Sequence, residues 1–187
     1  MMMKTVVVIS VLVAALVLAL VAVKNTAPVE AAPKGLLKIG SPAPNFTLPS
    51  TNGTITLSKL LNASSGQHGE QYAVLVFYPM DNTPGCTVQL CSLRDTYAQL
   101  QKKHITVVGM NPADVKSHAG FAKKQHYAFP LASDTNRAVA KAYGVGGVLG
   151  VNNRTVIVVS PQQTIVFAEE GMPTPEDIMA AVYKHRH

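Results

Sequence analysis

A chain of 187 residues, 48% of them hydrophobic, is long enough for one domain with a full core and an additional N-terminal segment. The net charge of +6 includes no run of lysine or arginine longer than two residues, so we expect solvated helix faces and no binding of nucleic acid. Two cysteines are too few for a scaffold that disulfides hold together, and no further ligands stand near them at the spacing of a zinc site.

An uncharged apolar run occupies residues 5–23, between Lys4 and Lys24. It is long enough to span a bilayer, which takes about 20 apolar residues. Small side chains also fit the cleavage of a signal peptide after Ala31. We therefore predict that residues 1–31 are either a membrane anchor or a cleaved signal peptide. Both alternatives place the rest of the chain outside the cytoplasm, on the periplasmic or extracytoplasmic side, with membrane contact only through this segment.

The next part of the chain predicts a linker followed by a β-hairpin. Residues 32–44 are rich in proline and form the predicted linker into the domain, and residues 45–187 form the predicted domain itself. At its start, residues 45–48 and 54–57 alternate between polar and apolar side chains. Because the Asn52-Gly53 pair between them is a strong turn signal, we predict a hairpin.

Buried strands and amphipathic helices alternate through the rest of the domain, which implies an α/β sandwich around a central mixed β-sheet. In the third helix of this series we expect Val115, Ala119 and Ala122 to face the core and His118 to face solvent. The predicted strands cover residues 72–77, 105–110, 128–131, 154–160 and 164–168. The predicted helices cover residues 59–61, 113–126 and 134–143, with two more that start at Cys86 and after Thr174.

The only two cysteines, Cys86 and Cys91, follow a Thr-Pro-Gly turn that leads from a buried strand into an amphipathic helix. Cys86 lies at the loop–helix junction, where free backbone N–H groups and the helix dipole stabilise a thiolate and make it a better nucleophile. In one regular helix the two Cα atoms are roughly 8–9 Å apart. A disulfide needs less than about 7 Å. Either the pair never bridges, or the first helical turn melts when it does.

The segment 77–87, Phe-Tyr-Pro-Met-Asp-Asn-Thr-Pro-Gly-Cys-Thr, resembles the active-site signature of the peroxiredoxins. With Cys91 five residues after Cys86, it is most similar to the peroxiredoxin Q, or bacterioferritin comigratory protein, subfamily. The resemblance extends over about residues 36–182 and implies a thioredoxin-like fold whose sandwich carries an N-terminal hairpin extension. Gln89 departs from the glutamate that the subfamily often has at this position, and it is not expected to react.

The resemblance also implies a role for each residue of the candidate catalytic site. Cys86 would be the peroxidatic cysteine, and Cys91 would resolve its sulfenic acid by forming a disulfide. Thr83 would hydrogen-bond the thiolate and the incoming peroxide. Arg154 would stabilise the Cys86 thiolate and help to polarise the O–O bond, and Pro79 would shield the site.

The implied activity is a thiol-dependent peroxidase that reduces hydrogen peroxide and organic hydroperoxides. A thioredoxin-like reductant protein would recycle the disulfide, without a metal or an organic cofactor, and the protein would be a monomer or a weak dimer. Two alternatives use the same cysteines. An exported thiol–disulfide oxidoreductase would favour Cys-x2-Cys. A membrane-tethered copper-binding protein of the same fold would favour Cys-x3-Cys and bind the metal through Cys86, Cys91 and a distal histidine.

Overall fold

The structure is a computed structural model that describes residues 33–62 and 71–187. In these residues the strands are β1 (Thr47–Ser50), β2 (Gly53–Thr56), β3 (Tyr72–Phe77), β4 (Ile105–Asn111), β5 (Leu131–Ser133), β6 (Thr155–Val159) and β7 (Ile165–Glu170). The helices are α1 (Leu57–Asn62), α2 (Pro84–Lys102), α3 (Val115–Gln125), α4 (Ala138–Ala142) and α5 (Pro175–Arg186). The strands form one mixed sheet in the order β2-β1-β5-β4-β3-β6-β7, which confirms the predicted α/β sandwich.

The predicted hairpin forms one edge of this sheet. Strands β1 and β2 pair antiparallel and end at the pair Ser50↔Gly53, beside the tight turn. Gly53 has a φ of +87°, a left-handed backbone conformation that favours glycine. Ser50 also pairs with Ala132 of β5, so the hairpin extends the sheet beyond the strands that build the core.

The centre of the sheet is buried on both faces. Every residue of β3 is buried, and β3 lies between the parallel strand β4 and the antiparallel strand β6. Six consecutive apolar residues suit a strand that is covered on both faces. The pairs Phe77↔Met110 and Phe77↔Thr155 bring the end of β3, the end of β4 and the start of β6 to the same side of the sheet. This side is the edge formed by strand ends and not by an outer strand. The loop after β3 and the loop before β6 therefore meet at this edge.

The buried face of helix α3 matches the prediction only in part: Ala122 packs against the core as predicted. His118 and Phe121 are buried, whereas Ala119 is exposed and Val115 is only half-buried. The prediction that His118 faces solvent was wrong. Its imidazole is paired with the buried carboxylate of Asp81, and this contact replaces a hydrogen bond to water. His118 and Phe121 are three residues apart and share one helix face, and the large ring of Phe121 outweighs small alanines in deciding which face packs inward.

Two predicted elements are shorter or shifted in the structure. Helix α4 covers only the second half of the predicted helix. The carboxylate of Asp134 accepts hydrogen bonds from the N–H groups of Val139 and Ala140 at 3.2 and 2.9 Å. Asp134 lies outside the helix and supplies acceptors for N–H groups in the first turn of α4. Strand β5 begins at Leu131 and not at residue 128, because Pro130 has no N–H group to donate to a neighbouring strand.

Part of the predicted linker, residues 36–44, packs against the domain. The N–H group of Leu37 donates to the carbonyl of Tyr143 at 3.1 Å. Ala43 is buried in the core. This stretch therefore belongs to the folded unit and is not a free tether.

The division of the chain at residues 31 and 44 stays a prediction. The apolar run at residues 5–23 lies outside the described residues. Within residues 33–62 and 71–187, none of the helices is both long enough and apolar enough to cross a lipid bilayer.

Candidate active site

Cys86 lies in the first turn of α2, as predicted. Thr83 is the N-cap residue with extended backbone angles, and Pro84 is the first helical residue. The first hydrogen bond within the helix runs from the N–H of Thr87 to the carbonyl of Thr83 at 3.0 Å. The N–H groups of Gly85 and Cys86 consequently have no partner inside the helix, and the positive end of the helix dipole lies beside the Cys86 thiol. Cys86 itself is fully buried.

The guanidinium of Arg154 covers this first turn. A Cβ atom added at Gly85 would lie only 2.7 Å from Nη2 of Arg154, so the glycine leaves the room that the guanidinium occupies. Arg154 directly precedes β6, whose first residue pairs with the last residue of β3. The sheet register therefore brings Arg154 next to the turn that carries Cys86. Its contribution to the chemistry stays a prediction.

Gln89, which the sequence did not single out as functional, holds Arg154 in this position. Its Oε1 accepts a hydrogen bond from Nη1 of Arg154 at 3.2 Å. Its Nε2 donates to the carbonyl of Gly171 at 3.4 Å, and the side chain is almost fully buried. An amide oriented at both ends fixes the position of the guanidinium without neutralising its charge. One feature of the sequence could have indicated this role. Gln89 is four residues after Gly85, so it lies one helical turn later on the same face of α2.

Thr83 and Pro79 lie in the loop between β3 and α2 and are half-buried. The hydroxyl of Thr83 donates to the carbonyl of Met80 at 3.3 Å and makes no cap hydrogen bond to the helix. At this length the hydrogen bond is weak, so the hydroxyl can exchange it for a stronger acceptor such as a thiolate or a peroxide oxygen. Thr83 is the N-cap of the helix that carries Cys86. The roles of Thr83 and Pro79 stay predictions.

The same loop carries a buried carboxylate, Asp81, that the sequence analysis missed. Burial alone would raise the pKa of Asp81, but hydrogen bonds from His118 and Ser117, together with the charge of His118, hold this pKa below its ordinary value. The carboxylate accepts hydrogen bonds from Tyr78 Oη at 2.8 Å, Asn111 Nδ2 at 2.9 Å, Ser117 Oγ at 2.7 Å and His118 Nδ1 at 3.0 Å.

This Asp81 cluster, made of Asp81 and its four donors, ties the active-site loop to the end of β4 and to the start of α3. The ring of Tyr78 belongs to the same core cluster as Cys86. Burial and the neighbouring Asp81 charge raise the pKa of Tyr78, so its hydroxyl remains a donor. The Nε2 atom of His118 is buried without a hydrogen-bond partner. The Asp81 cluster therefore fixes the loop that carries Pro79 and Thr83.

Cys91 lies further along α2 and faces another part of the molecule. It is half-buried, and its Sγ lies 3.7 Å from Oε1 of Gln125 and 3.9 Å from the hydroxyl of Tyr127. Cys86 and Cys91 are both free thiols in one regular helix, as predicted. The disulfide geometry cannot be reached from this arrangement while the helix between them is intact.

No group of three or more His, Cys, Asp and Glu side chains in the described part of the chain lies close enough to hold a metal ion. The copper-binding alternative needs a histidine beside both cysteines. Cys91 instead contacts an amide and a phenol, Gln125 and Tyr127.

Comparison with known proteins identifies relatives of the whole domain. The sequence profile of the AhpC/TSA family matches residues 39–168. Peroxiredoxin Q of the chloroplast from Triticum aestivum is 42% identical over 112 residues, which are 59% of this chain and 48% of that protein. A putative peroxiredoxin bcp from Coxiella burnetii is 37% identical over 109 residues, 58% of this chain and 68% of that protein. The match thus spans about half the length of the plant relative.

Solved structures of related proteins share the fold. The peroxidoxin BcpB from Mycobacterium tuberculosis superposes with a TM-score of 0.70 at 29% identity and covers 79% of this chain and 97% of that one. A peroxiredoxin Q variant from Xylella fastidiosa gives a TM-score of 0.68 at 29% identity over 81% of this chain and 98% of its own. The thioredoxin-like architecture expected from the resemblance is confirmed.

Proposed function

Because the chain belongs to the AhpC/TSA family, we propose that it is a thiol-dependent peroxidase that uses Cys86 to attack peroxides. One observation carries this proposal: Cys86 lies in the first turn of α2, and the guanidinium of Arg154 lies against Gly85 of the same turn. The positive end of a helix dipole, two N–H groups without a partner inside the helix and a cation held by Gln89 therefore lie at the turn that carries this buried thiol. Such a site supports a reaction in which negative charge develops beside the sulfur.

The first step of the proposed reaction is the oxidation of Cys86. The Cys86 thiolate attacks one peroxide oxygen, and the O–O bond breaks as the S–O bond forms. Negative charge then develops on the other oxygen, where Arg154 and the N–H groups of the first turn stabilise it. That oxygen takes up a proton and leaves as water or as an alcohol. Cys86 remains as a sulfenic acid.

The second step joins the two cysteines. The thiolate of Cys91 attacks the sulfur of the Cys86 sulfenic acid, an S–S bond replaces the S–O bond, and water leaves. Because both residues lie in one helix, the first turns of α2 must unwind before the sulfurs can meet. A thioredoxin-like dithiol protein then reduces the disulfide by thiol–disulfide exchange.

Both hydrogen peroxide and organic hydroperoxides are proposed substrates. A structural study of the Xanthomonas campestris bacterioferritin comigratory protein, 26% identical with a TM-score of 0.64, concerns alkyl peroxide reduction. Exposed apolar side chains near the start of α2 and on the loops before β6 and after β7 suit the contact with an alkyl chain or with the reductant protein. These are Met80, Val88, Val148, Leu149 and Met172.

The proposal also states where the protein acts and how many copies of it assemble. Residues 1–31 would export the domain or anchor it, so the peroxidase would act outside the cytoplasm and draw on a reductant there. The domain would work as a monomer or a weak dimer, which the resemblance to the peroxiredoxin Q subfamily supports.

The function is tested with the full-length protein in a peroxide-free mild detergent, coupled to thioredoxin, thioredoxin reductase and NADPH. We expect wild-type protein to consume hydrogen peroxide with NADPH, Cys86→Ser to consume none above background, and Cys91→Ser to lose turnover with thioredoxin. Equal turnover in wild type and Cys86→Ser would exclude Cys86 as the reacting thiol.

A further inference from the structure

The thiol of Cys91 is held by two side chains at the end of α3. Its Sγ lies within hydrogen-bond reach of Gln125 Oε1 at 3.7 Å and of the Tyr127 hydroxyl at 3.9 Å. A thiol has one proton. When its S–H donates to Gln125, the Tyr127 hydroxyl is left to donate to the sulfur.

Tyr127 is fixed in a position from which its hydroxyl can donate to the Cys91 sulfur. Its ring stacks on Phe129 with centroids 5.2 Å apart and meets the edge of Phe121 at 5.2 Å. Burial is the largest cause that raises the pKa of Tyr127, and the hydrogen bond with Cys91 is the second. The hydroxyl therefore keeps its proton at neutral pH. The aromatic contacts hold the ring whether or not the hydroxyl is present.

A second connection fixes the same region of α2 to α3. Nη1 of Arg94 donates to the carbonyl of Gln125 at 2.8 Å, one turn after Cys91. Leu93 and Tyr97, on either side of Arg94 in the sequence, pack into the core. The helix is therefore anchored from Arg94 onward, and any unwinding that lets Cys91 meet Cys86 takes place before this anchor.

Disulfide formation conflicts with these contacts. Five residues correspond to about 140° of separation around a helix axis, so the two thiols point to different sides of α2. Cys86 faces the core, whereas Cys91 faces the end of α3. The Cys91 sulfur must turn away from Gln125 and Tyr127 to attack, and each hydrogen bond that it gives up opposes this movement.

We propose that Gln125 and Tyr127 form a latch that holds Cys91 in the helix and slows its attack on oxidised Cys86. Both are positioning residues, and the inference rests on the peroxidase function proposed above. While the latch is closed, the Cys86 sulfenic acid survives longer and is open to a second peroxide molecule. That peroxide oxidises the sulfenic acid to sulfinic acid and is itself reduced to water or an alcohol. The latch thus sets the share of protein lost to overoxidation.

The test is single-turnover oxidation of reduced full-length protein in quenched flow. The chain contains no tryptophan, so thiol alkylation followed by intact-mass analysis replaces fluorescence as the readout. Tyr127→Phe removes only the hydroxyl. We expect an unchanged rate of Cys86 oxidation and a disulfide formation rate about two- to fivefold higher, the size expected for one weak hydrogen bond. The sulfinic acid fraction at high peroxide should fall by a similar factor.

A matched control is Tyr97→Phe, which removes a hydroxyl from the same aromatic cluster, 5.4 Å from Phe129, without a sulfur contact. It should leave both steps unchanged, while Gln125→Met should repeat the effect of Tyr127→Phe. Slower or unchanged disulfide formation in Tyr127→Phe would overturn the latch, and so would an acceleration shared with Tyr97→Phe, because that would reflect packing. If wild-type Cys86 is not oxidised rapidly, the proposed function fails instead, and this is visible in the first step.

Discussion

At the scale of single residues, the candidate site depends on how one cation is held above one helix end. Arg154 reaches the first turn of α2 because Gly85 has no side chain and because Gln89 accepts from its Nη1. The guanidinium is therefore held against the first turn of α2 before any reaction begins, which is the arrangement that the proposed role of Arg154 requires.

Loss of the guanidinium should cost most of the activity. We expect Arg154→Met to lower the rate of Cys86 oxidation by about 10²-fold, since the charge on the leaving oxygen loses its main stabilising cation. The matched control is Arg186→Met, which removes a guanidinium that lies 4.8 Å from the ring of Tyr72, at the opposite end of β3. Peroxide consumption under excess reductant measures both. An Arg154→Met enzyme with wild-type rate would exclude this role.

Gly85→Ala should lower the activity without lowering the stability of the fold. The new Cβ would lie 2.7 Å from Nη2 of Arg154, so the guanidinium must move and peroxide oxidation should slow by about tenfold or more. Alanine favours a helix by up to about 1 kcal/mol over glycine, so the free energy of unfolding should not fall. Gly120→Ala in α3 is the control, because its Cβ meets open space. It should raise stability and leave activity unchanged, and equal activities of the two variants would contradict the steric argument.

At the scale of secondary-structure elements, the Asp81 cluster joins α3 and β4 to the loop that precedes α2. Its hydrogen bonds come from residues that are up to 37 positions away in sequence. A buried carboxylate with four donors stabilises the fold only while it is ionised and fully paired.

This cluster predicts how stability depends on pH. The folded-state pKa of Asp81 lies below its unfolded value of about 3.9, so its contribution is complete above that pH and is lost as the pH falls through the folded pKa. Asp81→Asn should lower the free energy of unfolding by about 2–4 kcal/mol at pH 7. Urea unfolding from pH 7 to pH 3 should show a smaller acid-induced loss in this variant than in wild type. The exposed Glu169→Gln serves as control, and an identical pH profile for Asp81→Asn would contradict the assignment.

The elements that the sequence predicted well depend on local signals. The Asn52-Gly53 turn, the start of α2 at the Thr-Pro-Gly motif and the capping box of Thr174 with Asp177 each lie within a few consecutive residues. The burial of His118 could not be predicted in this way, because its partner Asp81 lies in a distant loop. The approach of Arg154 to α2 came from the resemblance, and only the pairing of β6 with β3 explains it physically.

At the scale of the whole molecule, the sheet gathers the candidate site at one edge. The ends of β3 and β4 and the start of β6 meet there, so loops distant in sequence surround Cys86. Two of these loops carry exposed apolar side chains, Met80 before α2 and Leu149 before β6.

Export concerns the whole chain, because residues 1–31 would place the domain outside the cytoplasm. A membrane-impermeant amine reagent added to intact cells should label exposed lysines such as Lys123 and Lys124, because the folded domain would lie outside the cytoplasm. Mass spectrometry of the recovered protein measures the labelling and also shows whether the N-terminus is Met1 or Ala32. Labelling that occurs only after lysis would contradict an exported domain.

The central claim, that Cys86 is the residue that peroxide oxidises, is tested most directly by a single turnover of the Cys91→Ser variant. Without a resolving thiol, the oxidised state of Cys86 should accumulate. One equivalent of hydrogen peroxide should produce a sulfenic acid at Cys86, trapped by dimedone and located by peptide mass, at a rate far above that of free cysteine. Oxidation no faster than free cysteine, or a dimedone adduct absent from Cys86, would contradict the account.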